Sequence, residues 1–135
     1  MSEHQLVFAT PPDDVNTVHD FLESVWGDDT TLTDEERMAF ELALVELTSN
    51  VIEHAAAGEG VACRLSVAIT DGELTATLSD TAEPGSVSLV GRVMPDEMAE
   101  GGRGLALVQL LVDDLGYERV GDSNVWSIRK ARPTA

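Results

Sequence analysis

Residues 64–78 read Arg64-Leu65-Ser66-Val67-Ala68-Ile69-Thr70-Asp71-Gly72-Glu73-Leu74-Thr75-Ala76-Thr77-Leu78. Leu65, Val67 and Ile69 alternate with Arg64, Ser66, Ala68 and Thr70. Beyond Asp71-Gly72, Leu74, Ala76 and Leu78 alternate again with polar neighbours. A period of two puts each apolar set on one face of a strand, and Asp-Gly between two such runs is the strongest short-range hairpin signal. The stretch predicts two antiparallel strands whose apolar face must be covered by another layer.

Working outward supplies that layer. Toward the N-terminus a capping box, Thr33-Asp34-Glu35-Glu36, predicts a helix that runs to about Ala56, with Gly58 as its stop. Before it, Pro11-Pro12 opens a helix with the stripe Val15, Val18, Leu22, Val25 and Trp26, ended by Gly27 and preceded by an edge strand over 6–9. Toward the C-terminus no period holds from Thr81 to Gly101, where Pro84, Gly85, Gly91 and Pro95 break any regular element. Loops this long in compact domains tend to be functional or disordered. A short apolar helix over 105–112 and two strands around Gly121-Asp122-Ser123-Asn124 complete the order. Helices gathered on a mostly antiparallel, mixed sheet make an α+β two-layer sandwich, a single domain over 1–135.

Composition narrows the function. The chain has 135 residues, 43% of them apolar, and a mean hydropathy of −0.02, with no apolar run approaching the roughly 18 residues of a membrane helix. Met1-Ser2-Glu3-His4 is acidic and no apolar segment follows it, so a cytoplasmic location is expected. Twenty-five acidic against 8 basic residues give a net charge of −17, a field that repels phosphate backbones, so nucleic acid is not expected as a ligand. Lys130 is the only lysine, which leaves no candidate for a P-loop or ordinary protein-kinase lysine. The single cysteine, Cys63, reads as a small core residue.

The second helix carries the chemistry. Phe40, Leu44, Leu47 and Val51 fall on one side, and Met38, Leu42, Val45 and Ile52 on the other, with a solvent strip at Arg37, Glu41 and Thr48. Opposite that strip Ala39, Ala43, Glu46 and Asn50 would be enclosed between apolar flanks. Glu46 and Asn50 are four apart and stack on one face. An arbitrary E-x-x-x-N is more often a solvated surface. Between apolar flanks, however, a carboxylate calls for a cavity with a cationic or hydrogen-bonding occupant. An Asn carbonyl can coordinate Mg²⁺, and a carboxylate one turn away can act as a base. His54 continues the row, although alone it reads as a structural histidine.

Two further pieces fit the same occupant. Gly101-Gly102-Arg103-Gly104 stands before the helix 105–112, where glycines at positive φ can turn backbone amides toward an anion. Asp80 ends the second hairpin strand, placed to accept from an exocyclic amine such as adenine's. Each is weak alone, since a loop-to-helix turn and a strand-end turn residue explain them equally well. Gly121-Asp122-Ser123 lacks the full nucleophile elbow and reads as a hairpin turn, and His4, His19 and His54 are too scattered for zinc.

In combination the three pieces resemble the ATP-binding superfamily of gyrase, Hsp90, histidine kinase and MutL. Glu46-Leu47-Thr48-Ser49-Asn50 with His54-Ala55 looks like its N box. Asp80-Thr81-Ala82-Glu83-Pro84 stands in the place of its first glycine box, with Ala82 where glycine is the pattern, and Gly101-Gly102-Arg103-Gly104-Leu105 in that of its second. The small size is most similar to the anti-sigma factor serine/threonine kinases of the partner-switching type. The resemblance implies the Bergerat-type fold, ATP and Mg²⁺ as cofactors, Glu46 as general base and Asn50 as metal ligand. It further implies that Asp80 and Ala82 border adenine, that Gly102, Arg103, Gly104 and Leu105 lie at the phosphates, and that 81–101 forms a lid.

The function implied is sequestration of a sigma factor and phosphorylation of a STAS-type anti-anti-sigma antagonist in a stress response, in keeping with a homodimer. Two alternatives stay open: a binding module of the same fold without the kinase step, and a detached histidine kinase catalytic domain.

Overall fold

The computed structural model describes residues 2–10, 13–29, 31–56, 60–81 and 100–132, the side chains of 53–56 and 100–105 excepted. Its elements in order are β1 (Ser2–Thr10), α1 (Val15–Asp28), α2 (Asp34–Ala56), β2 (Val61–Ile69), β3 (Glu73–Asp80), α3 (Glu100–Leu111), β4 (Asp114–Val120) and β5 (Ser123–Ala131). The strands form one five-stranded sheet in the order β1-β2-β3-β5-β4, antiparallel at every pairing. The fold class is the α+β sandwich that the alternation and the helix signals predict.

The 64–78 hairpin pairs in the register its alternation requires, with Leu65 opposite Leu78 and Val67 opposite Ala76. Leu65, Val67, Ile69, Leu74 and Leu78 are buried with Trp126 and Ile128 of β5 against Phe40, Leu44 and Leu47 of α2 and Val18, Leu22 and Val25 of α1. The other face carries exposed Gln5, Ala62, Arg64, Thr77 and Ser127. Among the described residues a positive backbone φ falls at Gly121 (59°) in the β4–β5 turn, the first of two turn residues, where glycine avoids the Cβ penalty.

Helix starts follow their caps. The Thr33 hydroxyl accepts from the Glu36 N–H (3.1 Å) while Glu36 Oε1 accepts from the Thr33 N–H (2.9 Å), so the predicted capping box is formed on both sides. Thr33→Ala is expected to cost about 1 kcal/mol in a denaturant titration, and an unchanged midpoint would deny the cap its role. Helix α1 begins later than the prolines suggest. Asp14 caps it by accepting from the Asn16 N–H (2.9 Å), and Asp13 is engaged with Ala9; the helix then continues through Gly27.

Three expectations about the helices are corrected. In α2 a single stripe is buried: Phe40, Ala43, Leu44, Leu47, Thr48 and Val51. Met38 and Leu42, on the expected second flank, are 72% and 41% exposed. Thr48, assigned to a solvent strip, is fully buried because its hydroxyl donates to the Leu44 and Val45 carbonyls and needs no water. In α3 the helix begins at Glu100, so Gly101, Gly102 and Gly104 belong to its first turns and have helical backbone. Packing of α3 on α2 outweighs glycine's intrinsic cost of about 1 kcal/mol per residue. No helix among the described residues is long and apolar enough to cross a membrane.

Candidate functional site

The site forms where α2 ends. Glu36, at the start of α2, meets Arg132 and, through it, Thr70, at the hairpin end of the sheet. The opposite end of α2 connects through four residues after Ala56, at most about 18 Å from Ala56 to Val61, to the start of β2. Cys63 of β2 lies opposite Asp80, and Asp80 opposite Asn124 of β5. Asn50, in the second half of α2, and the Asp80–Asn124 pair therefore occupy the same end of the molecule.

Asn50 is 5% exposed, and among the described residues its Nδ2 is buried without a hydrogen-bond partner. A buried donor left unsatisfied costs about 1–3 kcal/mol, so Asn50 is set to donate to a further acceptor. Glu46, one turn earlier, is half-buried. The enclosure expected from two apolar flanks is therefore reduced to one. Asn50 lies at the margin of the buried stripe and Glu46 just beyond it, toward water.

Asp80 is 2% exposed and on the sheet face that the helices cover, in line with Leu74, Ala76 and Leu78. Its Oδ1 accepts from Asn124 Nδ2 at 2.9 Å. Asn124 Oδ1 in turn accepts from the Tyr117 hydroxyl and from Arg119 Nη1 (3.1 Å). Burial pushes the Tyr117 phenol up, against an opposing pull from Arg119, which keeps it protonated and donating. Behind Asp80, the Cys63 thiol is pushed up to about 12, first by burial and then by the Asp80 carboxylate. Cys63 is therefore inert packing, as its single occurrence suggests.

Sequence reasoning missed Asn124, Tyr117 and Arg119. Asn124 was read as part of a turn, yet it shares parity with buried Trp126 and Ile128. A polar residue in phase with a buried apolar set was the available signal.

The remaining candidates are placed by backbone only or not at all. Gly102, Arg103, Gly104 and Leu105 lie in the first half of α3. The amides of a helix's first turn have no intrahelical partner and can donate to an anion without the positive φ expected of these glycines. Just after α3 the chain is anchored at the far end of β5, where the Asp113 N–H donates to the Arg129 carbonyl (2.9 Å). Ala82 and the proposed lid, save Thr81, Glu100 and Gly101, lie outside the described residues, as does the His54 side chain. A groove of about 580 Å³ between α3 and β4, lined by Ala106, Leu110, Asp113 and Asp114 among others, touches none of Glu46, Asn50 and Asp80. Its acidic wall does not suit a phosphate.

The described residues contain no group of three or more His, Cys, Asp or Glu side chains that could hold a metal. Mg²⁺ bound through nucleotide phosphates needs only one or two protein oxygens, and the Asn50 carboxamide supplies one. The donor set therefore fits Mg²⁺ carried by a triphosphate.

A two-layer α+β domain with these groups at one end of its sheet has the make-up of a nucleotide-binding ATPase domain. The chain belongs to the histidine kinase-like ATPase domain family, whose model matches residues 8–130. No curated protein matches it closely. Membership brings ATP as the ligand of the fold.

Proposed function

We propose that the protein is an ATP-dependent serine/threonine kinase that acts in the cytoplasm as an anti-sigma factor, holding a sigma factor and phosphorylating a STAS-type antagonist. One observation carries the reading: a buried asparagine whose amide is unpartnered among the described residues, one helical turn after a half-buried carboxylate, in a family whose domain binds ATP. A half-exposed Glu46 suits a base that must meet the hydroxyl of an incoming protein.

Adenine's amine would donate to Asp80, and the α3 first-turn amides would donate to phosphate oxygens. At a net charge of −17 such a local cradle is needed to hold an anion at all. Asn50 Oδ1 would hold Mg²⁺, which when bound offsets the charge of the triphosphate. Glu46 would take the proton of the substrate serine as its Oγ bonds to the γ-phosphorus and the bond to the β-phosphate oxygen breaks, releasing ADP. The phosphate on the antagonist would then decide which protein the kinase holds.

Asn50→Ala is expected to weaken Mg-ATP binding roughly 10- to 100-fold by calorimetry and to abolish most of its Mg²⁺ dependence, as loss of a charge-assisted contact implies. Parent-like affinity in this variant would remove Asn50 from the site. Acid-stable phosphoserine on the antagonist supports the kinase reading, whereas acid-labile phosphohistidine would assign the domain to histidine kinase chemistry. ATP binding with no transfer to any antagonist would leave a binding module.

A further inference from the structure

The two edges of the sheet differ. At β1 the chain folds back on its own edge: the Ala9 N–H donates to Asp13 Oδ2 (3.0 Å), and the Asp13 N–H donates to the Ala9 carbonyl (2.9 Å). At β4, among the described residues, β5 lies along one side and no strand along the other. An edge strand presents a row of backbone N–H and C=O groups to any chain able to pair with it.

Beside that edge lies the groove of about 580 Å³ between α3 and β4, with Ala106, Leu110, Val112 and Leu115 as its apolar wall. Leu110 is 78% exposed. Leu115 pairs with Ile128 and Tyr117 with Trp126, so the odd positions of β4 belong to the face that the helices cover. Asp114 and Glu118, both exposed, fall by alternation on the open face. Asp114 is held by Arg129 at 2.7 Å. Asp113 accepts from the Ala131 N–H (2.6 Å) and has no cation against it among the described residues. The edge is therefore acidic, and a second copy of the same strand would set like charges beside one another in a chain of net charge −17.

We propose that the β4 edge and the groove beside it dock an extended segment of a partner protein in which apolar side chains alternate with lysine or arginine. Backbone pairing along 114–120 supplies the affinity, as in other cases of strand addition. Successive side chains of the added strand point to opposite faces. One set enters the groove beside Leu110 and Leu115, and the other meets Asp114 and Glu118 on the open face. The groove touches none of Glu46, Asn50 and Asp80, so this docking site is separate from the proposed nucleotide site and does not depend on it.

The test uses the full chain and a peptide as long as β4, seven residues, that alternates valine with lysine. Its counterpart is methylated at every backbone nitrogen, which keeps the side chains and the charge but removes the pairing donors. The first peptide is expected to bind by calorimetry and to slow amide hydrogen exchange along 114–120. The methylated peptide is expected to bind at least about tenfold more weakly and to give no protection there. Leu110→Glu, a change at an exposed position, is expected to fold like the parent and to weaken the first peptide by about tenfold or more, the worth of a leucine's burial. Should that variant fail to fold, the pair of peptides still decides.

Equal affinity for the two peptides would mean attraction by charge alone and would overturn the inference, as would protection confined to β1, parent-like affinity in a folded Leu110→Glu, or no binding of either peptide. Protection of 114–120 that rises with protein concentration in the absence of peptide would assign the edge to a second copy of the chain and overturn it equally.

Discussion

In the Glu46→Gln protein, phosphate transfer from labelled ATP to a STAS-type antagonist is expected to fall by about 10²- to 10⁴-fold, the usual worth of a positioned general base. Glutamine matches the volume of glutamate and still hydrogen-bonds, but it cannot accept the serine proton at neutral pH. Asn50, Asp80 and the α3 amides are untouched, so Mg-ATP affinity should stay within a few-fold of the parent, the pattern of an interaction made mainly in the transition state. Under the proposed function the sigma factor would be held on an outer surface, so its capture should survive as well. The measurement pairs phosphate incorporation with a sigma-factor pull-down. Undiminished transfer would reduce Glu46 to a charge-balancing group and return the catalytic question to the unassigned part of the site.

The largest effect on stability is expected at Arg132. Its side chain is 10% exposed and that of Glu36 9%, with Nε donating to Glu36 Oε2 at 3.0 Å. Nη1 donates to the Thr70 carbonyl at 2.7 Å and Nη2 to the Thr31 carbonyl at 2.9 Å. One guanidinium thus ties the residue after β5 to the hairpin, to the turn before α2 and to the α2 capping box. Arg132→Ala leaves Glu36 buried without its cation and should cost about 3–5 kcal/mol in guanidinium unfolding, with an unchanged denaturant slope. A loss under about 1 kcal/mol would mean that the pair is no better than a surface one.

The same pair has a pH signature. Burial pushes the Glu36 carboxyl up, but the Thr33 N–H and Arg132 together more than offset it and hold it below its ordinary value. Asp29 lies below its ordinary value too, first through the Thr31 hydroxyl and against the opposing effect of burial. A carboxyl with a folded pKa below its unfolded one contributes stability that is fully present above the unfolded value, about 4. That contribution is lost as pH falls through the folded value. Parent stability should therefore decline below about pH 4, and its advantage over Arg132→Ala should shrink there, in urea titrations across pH. A difference independent of pH would place the effect in the Thr70 and Thr31 contacts.

What could be read from the sequence was what neighbouring residues settle among themselves. The Thr33–Glu36 capping box is an exchange across three residues, and both of its hydrogen bonds are formed. The 64–78 hairpin follows from a period of 2, and the placing of Glu46 one turn before Asn50 from a period of 3.6, which sterics impose whatever the rest of the chain does. Helix α2 shows where this ends. Two apolar flanks were visible, and only the sheet, by covering the Phe40 flank and leaving Met38 and Leu42 out, decided which was core. The start of α3 was likewise settled by packing against α2, over the preference of its own glycines. Asn124 reaches Asp80 across 44 residues and Arg132 reaches Glu36 across 96. Both contacts depend on the last strands returning to their places in the sheet, β5 between β3 and β4, a choice made by long-range pairing and burial that no local pattern encodes.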